Sequence, residues 1–343
     1  MPTASIDLFL ASSAMILLVV GAIYSTDIVV EPYLAQKGVP IERYQQIGRY
    51  MLLSRGEPED WGIDGIPTSL GFSAGGSYEL DIDKVTRLNP SNTNALNYST
   101  LWEALGIDDV SFRISMDMPF NLTLSLSSSQ IVGGDTTYTF EASTTRRGYT
   151  LPTTVRYYVA VRDFNDSRTG ATDIGGSGSV EFSISNSHNG TALLVGFAQL
   201  EPSIVSYCVL PFAHNTTTLD PAGTYAALSP LNYNLDVNLT EGASVLNAAV
   251  FSLGYMFKIT GSGESYVIPH LLDASPMVLV VTGVKDSSYW AESVAYPQVP
   301  LAIGADMSDD YAISAIASAP FLVDVKGALY RFEVRFRSPT EDD

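Results

Sequence analysis

The sequence contains little of what most metal proteins and redox enzymes are built from. It has one cysteine, Cys208, and three histidines among 343 residues. These counts exclude an intrachain disulfide and a cysteine-rich zinc or iron–sulfur site. Basic residues are also scarce, since 18 Lys and Arg stand against 37 Asp and Glu, a formal net charge of −19. Such a chain repels phosphate backbones, so we expect no nucleic acid among its partners.

Charged residues of both signs make up only 16% of the chain, whereas apolar types make up 46%. Disordered chains have the opposite composition, so a folded protein is expected. The length is sufficient for two or three ordinary domains, each with its own core.

The first 36 residues contain no Lys or Arg, although Asp7 lies among them. Residues 8–24 read LFLASSAMILLVVGAIY, seventeen positions without a charge. As a helix this segment spans about 25 Å, the lower limit for crossing a bilayer. A secretory signal has a basic start and a small-residue cleavage site. The basic start is absent here, so we expect one retained hydrophobic helix over residues 1–37, either a transmembrane anchor or the core helix of a filament.

The segment that follows carries a set of turn, strand and helix motifs, in the order G-x-P-x-x-W, GF, LD-x-x-K, LG and a strand ending in Ile. The matching positions are Gly56, Pro58, Trp61, Gly71, Phe72, Leu80, Asp81, Lys84, Leu105, Gly106, Phe112 and Ile114. In this respect the chain resembles archaeal type IV pilin-like surface proteins, and the resemblance covers about its first third. It implies a structural subunit that assembles through its N-terminal helix, with Asp7 pairing with the α-amino group of a neighbouring copy.

Beyond residue 119 the apolar residues recur with the period of two that is typical of strands. Short strand patterns are separated by clusters of Gly, Ser, Asn and Asp, which favours antiparallel β-sandwiches. We therefore expect an α+β, mostly β fold in four segments. These are a hydrophobic helix (1–37), a neck helix with a small α/β module (38–118), an Ig-like β-sandwich (119–219) and a second β-rich domain (220–343).

Six N-x-S/T sequons provide the clearest modification signal, at Asn97, Asn121, Asn165, Asn189, Asn215 and Asn238. Chance pairing of the Asn, Ser and Thr present predicts roughly half that number. Glycosylation at these positions requires surface loops or strand edges in an exported protein.

Two other motifs could carry chemistry. Gly71–Gly75 matches the G-x-S-x-G nucleophile elbow around Ser73, but a strand pattern follows it where the elbow requires a helix, so we expect a turn. Asp306, Asp309 and Asp310 could supply oxygen ligands to Ca²⁺, but they lack the EF-hand spacing and we expect a solvated loop. The sequence thus predicts no catalytic residue, no metal site and no cofactor.

These observations favour a structural subunit of an extracellular pilus-like filament, or a pilin-like protein of the cell surface. The alternative is a monomeric, membrane-anchored adhesin or receptor ectodomain. The expected partners are copies of the chain through the N-terminal helix, the cytoplasmic membrane during insertion, and other surface proteins or glycans.

Overall fold

The computed structural model describes residues 41–217, 219–270, 274–307 and 317–337. The predicted helix over residues 1–37, and Asp7 within it, lie outside the described residues. None of the helices in the described ranges is long and apolar enough to cross a membrane. The chain divides into two compact units, residues 1–47 and residues 48–343, and only the start of one helix is described in the first unit.

The described elements are three short helices and twenty strands. In chain order they are α1 (Ile41–Leu53), α2 (Ile82–Thr86), α3 (Tyr98–Leu105), β1 (Ser111–Asp117), β2 (Asn121–Val132), β3 (Asp135–Arg146), β4 (Tyr149–Thr150), β5 (Thr154–Val161), β6 (Phe164–Ala171), β7 (Ser177–Ser185), β8 (Gly190–Glu201), β9 (Ile204–His214), β10 (Ala226–Leu231), β11 (Asn234–Leu239), β12 (Ser244–Ser252), β13 (Tyr255–Lys258), β14 (Gly261–Ser262), β15 (Ser265–Val267), β16 (Met277–Lys285), β17 (Ser288–Tyr296), β18 (Leu301–Gly304), β19 (Ala317–Val325) and β20 (Ala328–Arg337).

The strands form five antiparallel sheets. Their orders are β2-β3-β7 with β4 beside β3, β6-β5-β8-β9, β10-β11-β15-β14, β13-β12-β16-β17 and β18-β1-β20-β19. The mostly β, sandwich-like part of the predicted fold class is confirmed. The long N-terminal helix of that prediction is not found among the described residues.

Three of these sheets are stacked. One core lies between β2-β3-β7 and β6-β5-β8-β9 and includes Phe140, Tyr157 and Leu194. A second core lies on the opposite face of the β5-β8 pair, where Tyr158 and Val195 meet Phe251 of β12. The β6-β5-β8-β9 sheet is therefore the middle layer, and its central strands β5 and β8 are buried on both faces.

The sheet that contains β1 joins distant parts of the chain. β1 pairs with β20 in the register Ser111↔Arg337 to Asp117↔Arg331, and on its other side it pairs with β18. The four-segment division stays a prediction, but this sheet combines strands from its second and fourth segments.

The helices follow from local sequence signals. The predicted neck helix appears as α1, and its apolar stripe of Tyr44, Ile47, Met51 and Leu52 is buried. α3 ends at Gly106 in the left-handed conformation, as expected for a helix stop. The N-cap of α3 is Asn97, whose side-chain oxygen accepts a hydrogen bond from the Thr100 amide.

A buried polar junction connects α2 to the end of β17 and to the turn between β10 and β11. The Asp83 carboxylate accepts hydrogen bonds from the Tyr296 hydroxyl (2.7 Å) and the Asn232 amide (2.8 Å). Burial raises the pKa of Asp83, although these two hydrogen bonds act in the opposite direction. Nearby, Asn92 donates to Gln298. These contacts hold the module around α2 against the β10–β11 turn and the end of β17.

Candidate anion-binding groove

The outer face of sheet β18-β1-β20-β19 is a candidate site because of how its strands alternate. Alternate residues of β20, among them Phe332 and Val334, are fully buried on one face. Arg331 and Arg335 therefore point to the other face, as period-two alternation requires. β1 alternates in the same way, with Phe112 and Ile114 buried and Arg113 between them.

The register brings these charges together across the strands. Arg113 lies opposite Arg335, and Asp117 lies opposite Arg331. Glu333, between the two arginines of β20, pairs with Arg331 Nη2 (2.8 Å) and Arg335 Nε (3.0 Å) and accepts from Ser318 (2.8 Å). Burial alone would raise the pKa of Glu333, but the Ser318 hydrogen bond and the two arginines outweigh it and lower the pKa.

An open groove of about 420 Å³ lies beside this cluster. Its lining residues are Arg113, Ser115, Asp117, Pro300, Leu301, Ala302 and Arg335. Arg113 donates to the Ala305 carbonyl at 3.3 Å. It forms no ion pair with any of the residues that the structure describes.

This arrangement can bind an anion. Two like charges directly opposite each other in a sheet are unfavourable. Glu333 already pairs with Arg335, so an anion in the groove adds the counter-charge that Arg113 lacks among the described residues. A guanidinium group also presents paired N–H donors that match a carboxylate, sulfate or phosphate. Asp117 and Ser115 add an acceptor and a hydroxyl, and Pro300, Leu301 and Ala302 form an apolar wall.

The groove was not predicted from the sequence, although the arginines of one of its two strands could be recognised there. The alternating run LYRFEVRF predicts the outward arginines of β20. Arg113 lies in residues 110–116, where apolar residues alternate with Ser and Arg as in a strand, but nothing local indicates that this strand pairs with β20, more than 200 positions later.

The six predicted glycosylation asparagines occupy varied positions, and their modification stays a prediction. Asn97, Asn121, Asn215 and Asn238 are exposed, whereas Asn165 and Asn189 are half-buried. Three of the six lie towards one end of the β2–β9 sandwich. There Asn165 is the second residue of β6 in the β5–β6 hairpin. Asn189 Oδ1 accepts from Arg162 (3.4 Å), and Asn215 donates to the Asn186 carbonyl (2.9 Å).

Of the two chemistry motifs of the sequence, neither Ser73 nor Asp306 lines the groove. The Ser73 hydroxyl accepts from the Gly75 amide (3.0 Å) and donates to the Gly76 carbonyl (3.2 Å), so it closes its own turn. Asp309 and Asp310 lie outside the described residues. Within the described ranges no group of three or more His, Cys, Asp or Glu side chains is placed to hold a metal ion.

Comparison with known proteins gives no family. No family model and no curated protein matches the chain. Among solved structures, red sea bream transglutaminase matches at 9% identity with a TM-score of 0.21, covering 52% of this chain and 31% of that chain. The chain thus spans about a third of that protein, and a TM-score this low supports no conclusion about fold or function. The resemblance to archaeal pilin-like proteins is wrong: no such family matches, and the described residues are nearly all β, with 55% strand, 9% helix and no long apolar helix.

Proposed function

We propose that this protein is a cell-surface adhesin or receptor ectodomain that binds an acidic glycan in the groove between Arg113 and Arg335. The observation that carries the proposal is the pair of facing arginines on a chain with a net charge of −19. Strands β1 and β20 carry four of only 18 basic residues, Arg113, Arg331, Arg335 and Arg337, against two acidic ones, Asp117 and Glu333. This surface therefore has a surplus of two positive charges on a chain that is strongly negative.

The other lining residues favour a sugar acid over a simple ion. A uronate presents one carboxylate to the arginines, hydroxyl groups to Asp117 and Ser115, and a C–H face to the Pro300–Ala302 wall. The groove thus offers a matching group for each part of such a sugar.

The predicted Ig-like sandwich over residues 119–219 belongs to the same proposal. Of its seven long strands, β2, β3 and β7 form one sheet, and β5, β6, β8 and β9 form the other. This division supports an Ig-like arrangement, which is common among cell-surface domains. We further propose that the sequons are glycosylated outside the cell and that residues 8–24 anchor the chain. The intact mass of native protein tests the first point, because an unmodified mass would contradict it.

The binding proposal is tested by titrating the full-length protein with polygalacturonate by isothermal calorimetry, with neutral dextran as the control polymer. We expect binding to the polyuronate alone. The double variant Arg113→Gln and Arg335→Gln should weaken it at least tenfold, since each charge-assisted contact contributes about 1.5–3 kcal/mol.

The matched control is Arg146→Gln and Arg147→Gln. These two arginines are exposed at the turn between β3 and β4 and change the net charge by the same amount. Equal weakening in both variants would point to general electrostatics, and binding that survives in the groove variant would refute the site. Thermal unfolding of both variants establishes that they are folded.

A further inference from the structure

The outer half of β2 is an unusual sheet edge. β2 pairs only with β3 among the described strands, so one side of its backbone is open. From residue 125 to residue 132 every residue is exposed, including Leu126 (43%), Ile131 (73%) and Val132 (58%). A bulge at Ser127 separates the first part of β2 from residues 128–132, which pair regularly with β3.

Proteins protect open edges with charges, prolines or short strands, because an unprotected edge pairs with other chains. The other long edge strands among the described sheets carry such features. They are Asp166 and Arg168 in β6, Glu181 in β7, Pro211 in β9, Pro230 in β10, Glu292 in β17, and Pro320 and Asp324 in β19. Of the described edge strands longer than four residues, only β2 has neither a charged residue nor a proline.

The charge of the chain indicates what this edge can pair with. Two copies with a net charge of −19 each repel one another over most of their surfaces. The twelve residues of β2, NLTLSLSSSQIV, bring no charge to the contact. An antiparallel strand pair is also self-complementary, because a two-fold axis through its centre places the same residues on both sides.

We propose that residues 128–132 of β2 pair antiparallel with the same segment of a second copy, which joins two sheets into one continuous sheet. An axis near Gln130 places residue 128 of one copy opposite residue 132 of the other. Ile131 and Val132 then gain cross-strand neighbours on opposite faces. Asn121 lies about 24 Å along the strand from residue 128, so a glycan there stays clear of the contact.

The first test measures the mass of the full-length protein in solution by light scattering. Every variant is measured at 100 µM and in the same detergent. We expect the wild type to associate in pairs. Ile131→Lys with Val132→Lys places two charges on the edge and should leave single chains. The matched control, Tyr149→Lys with Ile174→Lys, also replaces two exposed apolar residues (78% and 88% exposed) and should associate like the wild type. A single-chain wild type, or equal association of both variants, would overturn the proposal.

The second test locates the contact. Residues 128–132 are changed to Cys one at a time, with Ile174→Cys as the control and Cys208 present throughout. Paired antiparallel Cα atoms lie about 4.5–5.5 Å apart, within the range that a disulfide bridges. Mild oxidation should cross-link two chains at Gln130 or an immediate neighbour and not at the other positions. Cross-linking no faster than in the control, or equal at all five positions, would refute the antiparallel pairing.

Discussion

At the scale of single residues, His214 is a buried titratable group whose partners define its tautomer. It is fully buried, its Nε2 lies 3.0 Å from the Ser185 carbonyl, and its Nδ1 lies 2.9 Å from the Tyr138 hydroxyl. A carbonyl only accepts, so Nε2 carries the proton and Nδ1 accepts from Tyr138. Burial lowers the pKa of His214, and the nearby His188 acts in the same direction.

This lowered pKa predicts a loss of stability in mild acid. As the pH falls through about 6.5, the unfolded chain takes up a proton at this position before the folded chain does. The free energy of unfolding should therefore fall below that pH by at most about 1.4 kcal/mol per pH unit, and level off below the folded-state pKa. Urea unfolding between pH 7.5 and 5.5 measures it, with His214→Gln as the comparison. The same pH slope in both proteins would contradict the assignment.

Asn97 combines two roles in one side chain. Its Oδ1 accepts from the Thr100 amide and the Ser99 hydroxyl, both at 2.8 Å, and so caps α3. A glycan attaches to the amide nitrogen of Asn, so the cap and the predicted modification use different atoms.

We therefore expect Asn97→Ala to destabilise the protein by about 1 kcal/mol, whereas Asn97→Asp keeps the capping oxygen and costs little. Both variants lose the sequon, so the difference between them isolates the cap. Chemical unfolding of unglycosylated protein measures it. Equal stability of the two variants would show that the cap contributes nothing.

At the scale of elements, the β16–β17 hairpin depends on a glycine. A Cβ at Gly283 would collide with the ring of Trp290, the residue opposite it in β17, and with the Ser244 carbonyl of β12. The absence of a side chain thus lets the fully buried Trp290 lie flat across the sheet, where it stacks on Tyr225 at 5.9 Å.

Gly283→Ala should destabilise the protein by about 1–3 kcal/mol or more, because backbone and a large ring must move. Gly254→Ala is the control, since a Cβ there meets nothing within 4 Å. Thermal unfolding of both variants checks this expectation. An unchanged midpoint for Gly283→Ala would show that the hairpin relaxes without cost.

At the scale of the whole molecule, the stacking of three sheets buries adjacent residues of β8 on both of its faces. Leu194 faces the core shared with β2-β3-β7, and Leu193 faces the core shared with β12 and β16. In a sandwich of two sheets one of these neighbours would face solvent.

Leu193→Ala and Leu194→Ala should therefore each cost about 2–5 kcal/mol, the usual range for a buried leucine. Urea unfolding of the two variants gives the comparison. A cost below about 0.5 kcal/mol for Leu193→Ala would show that the third sheet does not cover that face in solution.

The sequence by itself determined what depends on local patterns. Alternation in LYRFEVRF defines a strand and assigns Arg331 and Arg335 to the face opposite the core, because side chains of a strand point alternately. Gly106 ends α3, because glycine adopts the left-handed conformation without strain.

Only the tertiary structure decided which surfaces meet. Alternation assigns the side chains of a strand to two faces, but it does not show which other strand lies beside it. The pairing of β1 with β20, which places Arg113 opposite Arg335, could therefore not be derived from either segment. The same holds for the cover over Leu193 and for the open edge of β2, since both depend on contacts between residues far apart in the chain. Many strands of this chain have similar patterns, and long-range packing determines which of them pair. The groove exists because β1 pairs with β20 and β18.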